Sequence, residues 1–287
     1  MKRRPTAPRR KKAPQRGGLW GATEKLSRLR KTNGLLAYCL GLYGFLYLPL
    51  AVMVAFSFNG ARRNVVWTGF TFKWYASLFH NAEMARAMAT TLEIAVAASV
   101  MAAAMGMLAA YAMTRHAPFR GRGLYAALLN APLMMPEIVM GVGLLSFFSR
   151  VGLPLNFWSL ACAHALIALP YTTGSIRARL LSLKDSNLED AAMDLGATEW
   201  QAFRQITLPL ARPAIISGAL LAFTVSFEDF VTTFFIAGIG IVTMPIKVYS
   251  MMKFGVTPEV NALASCLLVL TIIALTINRT LVKETKS

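Results

Sequence analysis

The sequence predicts an all-α integral membrane protein with six transmembrane helices, and three observations carry that prediction. The composition is 56% hydrophobic and 15% charged, with a mean hydropathy of +0.51, outside the usual range of soluble domains. Apolar runs of about 20 residues recur along the chain, each long enough to cross a hydrocarbon core of roughly 30 Å. Backbone groups in lipid must be hydrogen-bonded within their own segment, so these runs should be helices. They fall at Leu35–Phe58, Thr90–Met113, Leu124–Phe148, Leu155–Ile176, Pro213–Ile236 and Val260–Leu281. The third observation is where the 30 Lys and Arg residues lie: with a cytoplasmic N-terminus, 23 fall on the inside and 7 on the outside. The excess of basic residues places both termini in the cytoplasm, and without residues 1–34 it still stands at 11 against 7.

Residues 1–34 carry much of the net charge of +17. Lys2, Arg3, Arg4, Arg9, Arg10, Lys11, Lys12 and Arg16 alternate with Pro5, Pro8 and Pro14, the pattern of a disordered cytoplasmic tail. Each basic side chain near an anionic leaflet contributes at most about 1 kcal/mol, so the tail reads as an orientation determinant that meets membrane lipid. No nucleic-acid recognition fold follows it, and no nucleic-acid partner is expected. No A-x-A cleavage site follows the first apolar run, which stays as helix 1. The transmembrane domain then occupies 35–282, with a long cytoplasmic loop at 177–212 and a short cytoplasmic end at 283–287.

The outer connection after helix 1 carries Trp74 and Tyr75, which suit either the outer mouth of a path or an interfacial aromatic belt. Thr90 and Glu93 have capping-box spacing at the outer start of helix 2. Glu137 in helix 3 lies about 13 residues, or roughly 20 Å, from the cytoplasmic start. Pro136 precedes it and Pro132 stands four residues before that, so helix 3 should be bent or interrupted there. The Glu137 carboxylate then either lines a path or neutralises the positive end of a new helix. His164 in helix 4 reads as a satisfied polar residue, and Cys39, Cys162 and Cys266 as packing residues without metal-ligand spacing.

Glu228 and Asp229 in helix 5 are the clearest substrate candidates. They stand about 15 residues, or roughly 23 Å, from the cytoplasmic side. A carboxylate at mid-membrane costs roughly 2.5–3.5 kcal/mol on insertion scales, so an adjacent pair needs partners or water. No Lys or Arg lies at comparable depth in helices 1 to 5, and an incoming cation would supply the missing charge. Phe227 and Phe230 flank the pair and could take ammonium or methylene groups on their rings.

The cytoplasmic loop carries the most ordered signals of the chain. Ser186 and Glu189 form a capping box, and Leu188, Ala191, Ala192 and Leu195 make an apolar stripe at helical spacing. Gly196 follows at the position where a helix end takes a left-handed residue. Thr198 and Gln201 form a second capping box, Trp200, Phe203 and Ile206 give that helix an apolar side, and Pro209 should end it. Two short helices around a glycine turn result, either packed on their own spans or docked against a partner. The acids Asp190, Asp194 and Glu199 around a small-residue surface favour docking. The chain has no G-x-x-x-x-G-K-[ST] loop, no H-E-x-x-H and no G-x-S-x-G, so neither ATP hydrolysis nor another hydrolase activity is expected of it.

The spacing D-A-A-x3-G-x9-I-x-L-P, on Asp190, Ala191, Ala192, Gly196, Ile206, Leu208 and Pro209, resembles the EAA loop of ABC importer permeases. Asp190 stands where that pattern has Glu, with Glu189 beside it. The segments WTGFTFKWY (67–75), LMMPEIVMG (133–141), FTVSFEDFV (223–231) and MPIKVYSMMKFGVTPEVNALA (244–264) are most similar to permeases for spermidine and putrescine. The resemblance implies a type I importer permease of the bacterial inner membrane, not itself an enzyme. It implies a homologous permease partner, two cytoplasmic ATPases that hold the ATP and Mg, and a periplasmic polyamine-binding protein. It also implies that Glu189 to Pro209 couple the ATPase to the spans. Glu137, Glu228 and Asp229 fall in its substrate-passage segments, and the adjacent Ser226 and Phe227, with Trp74, complete the candidate substrate set. Two alternatives stand beside this reading: a permease of the same build for iron or another small cation, and an ion-coupled secondary transporter.

Overall fold

The computed structural model describes residues 19–61, 66–115, 120–184, 187–253, 255, 257–269 and 272. The chain is helical almost throughout; among the described residues the β structure is one isolated bridge between Asn59 and Phe70. In chain order the helices are α1 (Leu19–Phe56), α2 (Lys73–His80), α3 (Ala82–Arg115), α4 (Arg122–Met134), α5 (Glu137–Val151) and α6 (Phe157–Lys184). There follow α7 (Leu188–Asp194), α8 (Glu199–Ala202), α9 (Leu208–Glu228), α10 (Val231–Ile236), α11 (Met244–Lys253) and α12 (Pro258–Val269). The tail before residue 19 and the expected cap at Ser186 lie outside the described residues, as does most of the sixth expected span beyond Val269.

Three helices are by themselves long and apolar enough to cross a membrane: Gly34–Phe56, Ala82–Arg115 and Glu199–Glu228. The pair α4–α5 makes a fourth if its two arms are one span, although they meet at a bend of 114°. The 28-residue α6 occupies the fourth expected span but carries His164, Thr172 and Thr173 within it. Length and apolarity alone therefore yield three or four of the six expected crossings among the described residues.

The core is the bundle of α3, α6 and α9, which pack through small side chains. Ala98 and Ala102 of α3, Ala165 and Ala168 of α6 and Ala222 of α9 form one fully buried cluster. With lipid tails as apolar as Leu, helix association depends on close packing and on interhelical hydrogen bonds, and Ala permits both. Thr172 on α6 supplies such a bond, donating to the Ala102 carbonyl at 3.0 Å. Gly106 must be glycine here, since a β-carbon would stand 2.5 Å from the Thr172 hydroxyl oxygen. Larger residues fill two further clusters of the bundle: Ile94, Leu160 and Ile236 in one, Met107, Ile176 and Leu180 in the other. The Gly34–Phe56 stretch of α1 stands apart from this bundle, with none of it buried.

Two expected helix boundaries move. α3 begins at Ala82, so Thr90 and Glu93 lie well inside it and form no capping box. The cap is Asn81, whose Oδ1 accepts from the amides of Glu83 and Met84 at 3.1 and 3.2 Å. Pro209 does not end the loop helix. The turn Phe203–Thr207 widens to π geometry, the Leu208 amide reaches back to the Phe203 carbonyl, and the helix runs on from Glu199 to Glu228. A proline lacks the amide for an ordinary turn and its ring crowds the carbonyl four residues earlier. A widened turn just before it takes up that misfit.

Candidate functional site

Both interruptions of the spans are built by the sequence around acids. At the first, Met135 is extended (φ −88°, ψ 137°), the conformation favoured before a proline, and Pro136 starts α5 with Glu137 in its first turn. At the second, α9 stops at Glu228, Asp229 turns extended (φ −66°, ψ 115°), and α10 begins at Val231. These breaks face one open cleft of about 1090 Å³. Pro132, Glu137, Met140, Tyr171, Glu228, Asp229 and Phe230 are among its lining residues, and among the described residues no Lys or Arg lines it.

The three acids that meet here are held differently. Glu137 sits at the positive end of α5 and Glu228 at the negative, C-terminal end of α9. Among the described residues neither has a hydrogen bond or an ion pair, and Glu228 is exposed. Asp229 is anchored: its Oδ2 accepts from the Thr233 amide at 2.9 Å and the Thr233 hydroxyl at 3.2 Å, with His164 Nε2 at 3.4 Å. Its Oδ1 has one long contact, 3.4 Å from the Thr232 amide. Asp229 thus caps α10 while lining the cleft.

Three expected cleft residues do not line it. Ser226 is buried and bonds to His164 Nδ1 at 2.7 Å, because two residues before Glu228 is the far side of a helix. Phe227 is stacked on Phe223 along the flank of α9. Trp74 lies on α2, where its indole nitrogen donates to the Asn59 carbonyl at 2.7 Å and its ring lies under the Lys73 ammonium. The residues missed from the sequence are His164 and Thr233. A histidine in an apolar run and two threonines three and four residues after Asp229 are the signal.

The hairpin of α7 and α8 holds the second cluster. Around Gly196 (φ 94°), the Ala197 amide reaches the Ala192 carbonyl at 3.0 Å and the Gly196 amide the Met193 carbonyl at 2.9 Å. This is the paired 6→1 and 5→2 bonding of a Schellman end. Thr198 and Gln201 form the expected reciprocal capping box. α7 buries none of its residues, and Leu195 (90% exposed) and Trp200 (64%) stand out as bare apolar surface.

Glu189 and Asp190 separate here. Glu189 turns inward, paired with Arg115 Nε at 2.7 Å and accepting from the Thr207 hydroxyl, which ties α7 to the end of α3 and the widened turn. Burial pushes its carboxyl above the ordinary range; Arg115 offsets part of that shift and Asp190 adds to it. Asp190 turns outward at 60% side-chain exposure, 3.2 Å from Arg115 Nη2. Ala191 is exposed and Ala192 half-buried beside it. Ile206 lines the hollow beneath this hairpin, Leu208 packs against the cluster of Met107 and Ile176, and Pro209 enters α9 directly behind it.

Residues 102–287 match the family described as the binding-protein-dependent transport system inner membrane component. The chain is 40% identical to the spermidine/putrescine transport system permease protein PotC of Haemophilus influenzae, over 86% of this chain and 96% of that protein. It is 40% identical to the putrescine transport system permease protein PotI of Escherichia coli (strain K12), over 79% of this chain and 82% of that one. Among solved structures, a bacterial alginate ABC transporter in complex with an alginate pentasaccharide-bound periplasmic protein superposes with a TM-score of 0.68. That superposition covers 91% of this chain and 96% of the other at 17% identity, a likeness of fold.

Proposed function

This chain belongs to the family of binding-protein-dependent transport system inner membrane components, the permeases of ABC importers, and from that premise we propose that it carries polyamines, putrescine or spermidine, across the bacterial inner membrane. One observation carries the substrate class: Glu137, Glu228 and Asp229 line a single cleft that no Lys or Arg neutralises. Glu137 and Glu228 are open to the cleft and Asp229 is half-buried, and carboxylates at membrane depth without countercharge are costly. A flexible polycation relieves that cost when its ammonium groups meet the acids and its methylenes lie on Phe230 and Tyr171, both in the lining. The negative end of α9 adds to the field at Glu228.

A compact metal cation fits this cleft less well. The described residues hold no group of three or more His, Cys, Asp or Glu close enough to share one ion. Acids that do not converge on one ion suit a cation whose charges are spread along a chain, and the names of the 40%-identical relatives point the same way.

The cytoplasmic hairpin serves as the coupling element. Bare Leu195 and Trp200, an outward Asp190 and small Ala191 offer a docking surface, while the widened turn joins it rigidly to α9 and so to Glu228. Two ATPase subunits carrying ATP and Mg would seat on this hairpin and its counterpart in a homologous permease. A periplasmic binding protein would deliver substrate at the outer face, with both termini of this chain in the cytoplasm. Uptake of labelled spermidine by cells expressing the whole transporter tests the assignment. Excess putrescine should compete and ferric iron should not; the reverse order would assign another cation to the cleft.

A further inference from the structure

His164 lies at the meeting point of α6, α9 and α10, 2% exposed, and touches neither cleft nor lipid. Each ring nitrogen has a fixed partner: Nδ1 faces the Ser226 hydroxyl at 2.7 Å, and Nε2 faces the Thr233 hydroxyl at 3.0 Å and Asp229 Oδ2 at 3.4 Å. An ionised carboxylate only accepts, so the nitrogen that faces it carries the proton, and Nδ1 then accepts from Ser226. Thr233 closes the circuit: its amide donates to the same Oδ2 at 2.9 Å, and its hydroxyl stands 3.2 Å from that oxygen and 3.1 Å from the Asp229 carbonyl. One oxygen of Asp229 is therefore held from behind by the Thr233 amide and faces the imidazole and the Thr233 hydroxyl, while Oδ1 keeps only the long Thr232 contact.

We infer that His164 is a positioning residue for substrate: resting on the cleft assignment above, it fixes Oδ2 of Asp229 against the bundle and so presents Oδ1 to a substrate ammonium. The imidazole never meets the substrate. Its effect reaches the cleft through a carboxylate that would otherwise turn about its own side chain at a helix break. Ser226 holds the ring through Nδ1 once Asp229 has set the tautomer, and so has a role in substrate recognition although it lies on the far side of α9. The arrangement acts on one carboxylate among three, so it tunes affinity and the ranking of substrates rather than the presence of transport.

Uptake of labelled spermidine and putrescine by the whole transporter, measured over a range of concentrations in parallel strains, tests this. His164→Leu should raise the KM for spermidine about 10-fold, the worth of one lost charge-assisted hydrogen bond, with less than a 2-fold change in maximal rate. His164→Gln, which keeps a donor where Nε2 lies, should recover most of the loss. Ser226→Ala, which removes the partner of Nδ1 but leaves the ring, should give an intermediate KM and decides the matter if His164→Leu fails to assemble. A wild-type KM in Ser226→Ala together with either a wild-type KM in His164→Leu or no difference between the Leu and Gln variants overturns the inference. Glu228→Gln in the same assay keeps the two ideas apart: if it too is wild-type, the cleft assignment fails; if it alone loses uptake, only the role of His164 does.

Discussion

Two adjacent acid pairs sit at opposite ends of α9, Glu189–Asp190 before it and Glu228–Asp229 at its close, and they are built alike and partnered differently. In each pair one carboxylate is tied back to the bundle and the other is turned out: Glu189 and Asp229 are held, Asp190 and Glu228 are exposed. At the hairpin the tie is an arginine, so Arg115 offsets part of the charge of the pair and the hairpin stays acidic. At the membrane end the ties are a histidine, two threonine amides and a hydroxyl, which satisfy Asp229 without a formal countercharge from Lys or Arg. The same sequence device thus yields a docking surface where the partner is cationic and a cation site where it is polar. Charge partners decide which, and sequence adjacency does not.

The sharpest break of that comparison removes the charge at the membrane end. Glu228→Gln with Asp229→Asn should abolish spermidine uptake, a loss of more than about 100-fold if each lost charge-assisted contact costs roughly 1.5–3 kcal/mol. Co-purification of the ATPase should survive, since the hairpin lies a whole helix away. Uptake near wild type would remove the acids from the substrate path. The matching change at the cytoplasmic end, Asp190→Lys, should do the opposite: substrate-stimulated ATP hydrolysis falls about 10-fold or more, and the ATPase is lost on purification. Should both variants show the same defect, the two ends of α9 do not have separate roles.

A third change asks whether the tie or the exposed acid matters at the hairpin. Arg115→Ala strands a half-buried Glu189 and should destabilise the hairpin by roughly 1–3 kcal/mol, the usual cost of leaving such a partner unsatisfied. Hydrogen exchange at the amides of 188–202 would then rise while those of the α3–α6 core stay protected. Unchanged exchange would mean that Thr207 alone holds Glu189.

Local signals in the sequence survived in the structure where the backbone itself dictates the outcome. Pro136 broke the span and put Glu137 in a first turn; Gly196 took its left-handed conformation; Thr198 and Gln201 closed their box. Signals that depended on what surrounds a residue did not transfer. Pro209 looked like a stop, yet a widened turn absorbed it. Thr90 looked like a helix start, yet Asn81 lay upstream with better placement. Ser226 and Phe227 were grouped with Glu228 by adjacency, although one residue turns a helix by about 100° and carries its neighbours to other faces. His164 read correctly as satisfied, but what satisfied it, a carboxylate of the cleft, belongs to tertiary structure that no spacing encodes.

The smallest expected effect concerns pH at the hairpin. Glu189 has a carboxyl raised by burial despite Arg115, so the folded hairpin holds its proton more tightly than the unfolded chain does. A group raised in this way contributes stability below its unfolded value, about 4.3 for a glutamate, and loses that contribution as pH climbs through the higher folded value. Local protection of 188–202 should therefore decline slightly as pH rises above the ordinary carboxylate range, once the intrinsic pH dependence of exchange is removed. Glu189→Gln abolishes the titration and keeps a polar group for Thr207, so its profile should be flat over the same window. Asp229→Asn, a held acid of the other pair, should leave the hairpin profile sloped as in the wild type. A slope that persists in Glu189→Gln would assign the titration to another group, and the inward acid would then be a plain ion-pair partner of Arg115.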